Sequence, residues 1–191
     1  MKNLIIDLED NGGGFLNAAT DLASHFLDKG DLVVYTDAPK LGTHNYVVEK
    51  PGDMRDGKVV VMANQYSASA SEILSGAIQD NDRGLVVGRR TFGKGLVQRP
   101  DGSMIRLTVS RYYTPSGRSI QKPYTAGDGD DYRKDILHCY EAGAFSSADS
   151  VHLPDSLRFE TLRNKRPVYG GGGIMPDQFV PIDTTSFSPY Y

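Results

Sequence analysis

Lys94 stands between two glycines in Gly88-Arg89-Arg90-Thr91-Phe92-Gly93-Lys94-Gly95, directly after the apolar run Gly84-Leu85-Val86-Val87. As a pattern this is G-x-x-x-x-G-K, the opening of a phosphate-binding P-loop. Such a loop needs Ser or Thr after its lysine, to hold Mg²⁺, and a helix whose N-terminus faces the phosphates. Gly95 follows instead, and Leu96-Val97-Gln98 leads into a hairpin, so both requirements fail. A lysine set among Phe92, Leu96 and Val97 suits another chemistry. Desolvation disfavours the charged ammonium, and a neutral amine is a base.

A base needs a nucleophile, and Ser67, Ser69 and Ser71 lie upstream, Ser69 being 25 positions before Lys94. They sit where the apolar run Val59-Val60-Val61-Met62-Ala63 hands over to a helical pattern, Ile73, Leu74, Ala77 and Ile78. That junction exposes the nucleophile in many hydrolases, and amides at the helix start can stabilise an oxyanion. A plainer reading competes: Ser69 followed three residues later by Glu72 is a capping box. Histidine is the commoner partner of a serine, but no pattern ties His25, His44, His138 or His152 to this cluster. Cys139 beside His138 is no better, since adjacent helical side chains point apart.

The elements that must position these groups read as alternating strands and helices. Leu4-Ile5-Ile6-Asp7-Leu8 reads as a buried strand ending at Gly12-Gly13-Gly14. Phe15 to Leu27 carries apolar residues at helical spacing, and Leu32-Val33-Val34-Tyr35 reads as the next strand. Strand, glycine turn, helix and strand together predict a βαβ-type unit, repeated in outline from Val59 to Gly88. Beyond Lys94 the period changes to two, Ile105, Leu107 and Val109 alternating with polar neighbours. Asp101-Gly102 marks a hairpin turn. Residues 123–166 are more polar, with a charged helix expected over Tyr132 to Glu141, and read as a surface insertion.

The 191 residues are 39% hydrophobic and 24% charged with a formal net charge of −3, which suits one domain with a sizeable core. A slightly acidic balance gives no electrostatic reason to expect nucleic acid as a partner. No run approaches the ~18 apolar residues of a membrane span. One cysteine excludes an internal disulfide. Because the chain opens at once in a core strand, it is expected to be a fragment, with targeting sequence and any upstream domain outside it.

Asn64 to Gln98, NQYSASASEILSGAIQDNDRGLVVGRRTFGKGLVQ, closely resembles the core of C-terminal processing peptidases, serine proteases of the tail-specific type. That family uses a Ser–Lys dyad, with the serine in S-A-S-A-S-E and the lysine in T-F-G-K-G. The resemblance implies Ser69 as nucleophile and Lys94 as general base, with Gln98 orienting the lysine as in some members, and a structural part for Asp80. LIIDLEDNGGG resembles the family's D-L-R-x-N-x-G-G segment, which supplies a backbone donor to the oxyanion hole. Gly13 or Gly14 would be that donor, paired with the N–H of Ala70. Glu9 stands where arginine is usual and Gly12 where proline is common. YYTPSGRSIQ and YGGGGIMPD resemble later family segments.

The resemblance implies an α/β fold of the ClpP/crotonase type and a serine endopeptidase that cleaves proteins near their C-termini through an acyl-enzyme. It implies no cofactor or metal, protein or peptide substrates as partners, and a place in the bacterial cell envelope or periplasm, and it leaves a homo-oligomer open. The family usually carries a peptide-binding PDZ domain, and no G-L-G-F-like loop precedes the site here. The expected organisation is one protease core, 1–191, with 123–166 inserted in it. Two rivals stay open: a crotonase-like enzyme acting on acyl-thioesters, and a non-catalytic peptide-binding scaffold.

Overall fold

Val59, Val61 and Ala63 are almost wholly buried on one face of β4 (Lys58–Ala63), the strand from which the serine cluster departs. A computed structural model describes residues 2–40, 42–98, 108–123, 129–151 and 153–183. β4 lies inside a parallel sheet, between β1 (Asn3–Asp7) and β5 (Leu85–Gly88), with β10 (Gln178–Phe179) beyond β5. A second, antiparallel sheet runs in the order β3 (Gly42–Val47), β2 (Leu32–Ala38), β7 (Thr108–Tyr113), β6 (Leu96–Gln98). Helix α2 (Ala70–Asp80) is buried at all eleven positions. Each of Ile73, Leu74 and Ile78 contributes roughly 1.5–3 kcal/mol by leaving water. The mixed α/β class is as the sequence implied.

The two strand–helix–strand units are not alike. β4, α2 and β5 form a true parallel crossover, the two strands being hydrogen-bonded neighbours. β1, α1 (Leu16–Ser24) and β2 do not, because β2 pairs antiparallel with β3 and β7 in the other sheet. The βαβ reading of residues 3–35 is therefore corrected: α1 bridges two sheets. Hydrophobic spacing names elements, whereas burial of Val33 and Val34 against the shared core decides which sheet a strand joins. β1 also differs from the buried strand expected. Its exposure alternates and Ile5 is 64% exposed, since among the described residues only β4 pairs with it. Helix α1 stops at Ser24, short of Leu27. His25 and Phe26 amides bond back three residues, to Leu22 and Ala23, tightening the last turn and turning Phe26 and Leu27 inward.

The hairpin after Lys94 is present as β6 against β7, Leu96 facing Arg111 and Gln98 facing Thr108. Asp101-Gly102 and Met104 to Leu107 lie outside the described residues. Between Lys122 and β9 (Pro167–Tyr169), the chain makes α3 (Gly129–Glu141) and β8 (Arg158–Glu160), which pairs antiparallel with β9. Asp82, just past α2, fastens the return of this segment. It accepts from the Arg163 and Asn164 amides at 2.9 and 2.7 Å and from Arg166 Nε at 2.8 Å. Those bonds hold its carboxyl below the usual range against the cost of burial. No helix among the described residues is long and apolar enough to cross a membrane.

Candidate active site

The turn from β4 into α2 is held by two of its three serines. Ser67 Oγ donates to the Leu8 carbonyl at 2.7 Å and accepts from the Asn64 amide at 2.9 Å. Ser71 Oγ bonds to Asn11 at 3.0 Å. The Ala68 amide also reaches the Asn11 carbonyl, at 2.9 Å. These bonds fix the serine turn against the glycine turn that follows β1. Ser69, between them, has φ 58° and ψ −114°, a conformation that non-glycine residues rarely adopt. Such a residue costs about 1–3 kcal/mol and persists only where its surroundings enforce it. The sharp, strained strand-to-helix elbow is the shape that lifts a nucleophile out of a sheet.

Gly13 completes the junction. Its φ is +91°, and a Cβ there would fall 2.4 Å from the Ala68 carbonyl oxygen and 2.7 Å from the Ala70 nitrogen. Only glycine brings the two backbones this close. Ala70 opens α2, so its N–H has no acceptor within the helix. Of the two glycines expected to supply the second donor, Gly13 already gives its N–H to Asn11 Oδ1, at 2.9 Å. Gly14 carries no such bond among the described residues.

Glu72 joins the serine turn to the lysine loop. The sequence marked it only as the capping partner of Ser69, and that contact exists, Ser69 N–H to Glu72 Oε2 at 2.8 Å. The same carboxylate, fully buried, also accepts from Thr91 Oγ1 at 2.6 Å, the Gly93 amide at 2.6 Å and the Lys94 amide at 2.8 Å. The Phe92 amide adds a fifth tie, to the Ser67 carbonyl at 2.9 Å. Burial pushes the Glu72 carboxyl up, and its four donors pull it back. An unpaired carboxylate in this position would cost several kcal/mol, so the loop and the carboxylate hold each other. Nothing in the sequence announced a wholly buried glutamate.

Lys94 is half-buried in this loop, and among the described residues no hydrogen bond joins its Nζ to Ser69 Oγ. Catalytic bonds are often long in a protein without substrate and tighten when it binds. Gln98 lies in β6, and its side chain is outside the described residues. Asp80 is buried against Arg118 and accepts from the Ser116 amide at 2.9 Å, which suits the structural part expected of it. Two of the four histidines are engaged elsewhere, His25 with Asp53 at 2.8 Å and His44 edge-on to Tyr46. His138 is on α3, and His152 lies outside the described residues.

Leu8, Gly14, Phe15, Leu22, Ala70 and Leu74 help to line a cavity of about 190 Å³. Phe15 and Leu22 are exposed there, at 78% and 42%, and form an open apolar lip. A larger cavity, about 690 Å³, opens beside Gln79 at the opposite end of α2, among Leu85, Val151 and Tyr169.

The profile of Peptidase family S41 matches residues 1–129. A chloroplastic C-terminal processing peptidase of Tetradesmus obliquus is 42% identical over 128 residues, which is 64% of this chain and 27% of the relative. A probable CtpA-like serine protease of Staphylococcus haemolyticus is 36% identical over 193 residues, covering 84% of this chain and 37% of the relative. The solved photosystem II D1 C-terminal processing protease superposes with a TM-score of 0.56 at 38% identity, over 63% of this chain and 32% of that one. The chain thus spans well under half the length of each.

Proposed function

This chain belongs to peptidase family S41, and from that premise we propose that it is the catalytic core of a serine endopeptidase cutting protein substrates near their C-termini. Ser69 is the nucleophile and Lys94 its general base. Lys94 Nζ takes the hydroxyl proton as Ser69 Oγ attacks the scissile carbonyl, and then passes it to the leaving amine. Water, activated by the same amine, hydrolyses the acyl-enzyme. The N–H groups of Ala70 and Gly14 receive the oxyanion, a service worth about 10²–10³ in rate per donor. Gln98 steadies the lysine. The cavity beside Gly14 and Ala70 takes an apolar substrate side chain. Residues 1–191 act as one core carrying 123–166 as an insertion, and the core works in the bacterial cell envelope.

The observation that carries this reading is the Glu72 carboxylate, which bonds the Ser69 amide and the Lys94 amide through a single oxygen. A capping box needs the first contact alone. Binding the lysine loop to the same atom serves no helix, and it keeps the two functional segments in one register.

A fluorophosphonate probe tests the assignment by labelling a serine whose oxygen is activated. Labelling is expected at Ser69, and Ser69→Ala should lose both labelling and cleavage of an apolar-ended peptide. It should keep its fold to within about 1 kcal/mol, the worth of a cap. Lys94→Ala should fold and label far more slowly. Unchanged proteolysis in Ser69→Ala refutes the reading, and equal labelling in Lys94→Ala refutes the lysine as base.

A further inference from the structure

Segment 123–166 leaves the core immediately after Lys122, and α3 brings one carboxylate back to that point of departure. Asp135 Oδ2 lies 2.7 Å from Arg90 Nη2 and 3.1 Å from Lys122 Nζ. These two cations flank the lysine loop. Arg90 directly precedes Thr91, whose hydroxyl bonds Glu72. The Lys122 amide donates to the Gly93 carbonyl at 3.0 Å, and its ammonium lies 4.2 Å from the centroid of the Phe92 ring. Arg90 touches α3 a second time, one turn on, with Nη2 3.3 Å from Cys139 Sγ.

An ion pair on an open surface contributes little. This one differs because the Lys122 side chain is 3% exposed and that of Arg90 23%. Two cations held on one carboxylate repel each other, and removing the partner of an ion pair this poorly exposed to water is costly. Asp135 is a counter-charge that the two share. Its removal would leave the repulsion acting on the residues either side of Thr91 to Lys94.

We propose that Asp135 is a positioning residue for the Ser69–Lys94 site, holding the lysine loop in register from outside the core by neutralising Arg90 and Lys122. This rests on the protease reading above. Segment 123–166 then takes part in the reaction without touching substrate.

Asp135→Asn in the full chain keeps the side-chain shape and removes the charge. Probe acylation of Ser69 and peptide kcat should fall about ten- to a hundredfold, the penalty of a small misplacement. KM should hold, since the apolar cavity is lined by other residues. Asp135→Glu should restore most of the rate, and adding Arg90→Gln to Asp135→Asn should recover part of it. Amide hydrogen exchange at Gly93 and Lys94 should quicken in Asp135→Asn. Wild-type acylation together with wild-type exchange at those amides overturns the proposal, as does Asp135→Glu behaving no better than Asp135→Asn. If the wild-type chain is never acylated at Ser69, the protease reading fails. Exchange at Gly93 and Lys94 then decides the coupling to Asp135 by itself.

Discussion

At the passage from β1 to α1 the chain runs through three glycines, and the helix starts at Phe15, exposed, with no side-chain cap and no acidic residue in its first turn. At the passage from β4 to α2 it runs through three serines, and the helix starts at a strained Ser69 backed by a buried Glu72, with every helical residue inside. Both are strand-to-helix turns, packed against each other through Gly13 and Ala68. One, braced by the Asn11 side chain, presents bare glycine backbone. The other encloses every side chain but the central one and presents that. The glycine turn leaves the Gly14 amide open among the described residues, whereas the serine turn has to be over-determined, or Ser69 would relax out of φ 58°.

The contrast breaks most completely at Gly13. Gly13→Ala sets a Cβ against the Ala68 carbonyl and a φ that alanine avoids, so denaturant unfolding should show a loss of more than about 3 kcal/mol. Gly14→Ala meets nothing within 4 Å and keeps its N–H, so stability and acylation rate should both stay near wild type. Equal damage from the two would mean that the glycine run is merely pliable. Next comes Glu72→Gln, which preserves volume but replaces one accepting oxygen with a donor facing two amides or an amide and a hydroxyl. A cost of about 2–3 kcal/mol is expected in unfolding, with slower acylation of Ser69. Ser67→Ala and Ser71→Ala should each cost about 1 kcal/mol and keep a measurable peptidase rate, unlike Ser69→Ala. Should either abolish activity while Ser69→Ala keeps it, the central serine is the wrong one. The smallest effect is expected at Phe15→Ser, which gives α1 the cap it lacks. Melting should report a gain of about 0.5–1 kcal/mol, and peptide KM should rise as the cavity loses its lip.

What was legible in the sequence was local. Strands around Val59 and Leu85, the helix from Ala70, the serine run and the glycine-flanked lysine are each specified by residues within a few positions of one another. The partner of β2 was not legible, because Leu32 to Tyr35 is equally apolar whether it joins the first sheet or the second. β3 escaped notice since its strand is exposed almost throughout and carries no alternation. Glu72 was legible as a cap and illegible as a hub: three of its four donors lie about twenty residues downstream, and nothing local reveals that a glutamate has no contact with water. Asp135 was hidden for the same reason, its two cations being 45 and 13 residues away.

The lysine loop has one further neighbour in the chain's final stretch. The Thr91 amide donates to the Ile174 carbonyl at 3.1 Å, and the Ile174 amide donates to Thr91 Oγ1 at 2.7 Å. Gly173 lies so close that a side chain there would strike the Thr91 carbonyl. During translation, therefore, Ser69, the glycine turn and Lys94 all emerge well before the strip that seats them. A nascent chain stopped short of residue 174 carries Ser69, Gly13 and Lys94 but lacks the two Ile174 bonds that seat Thr91.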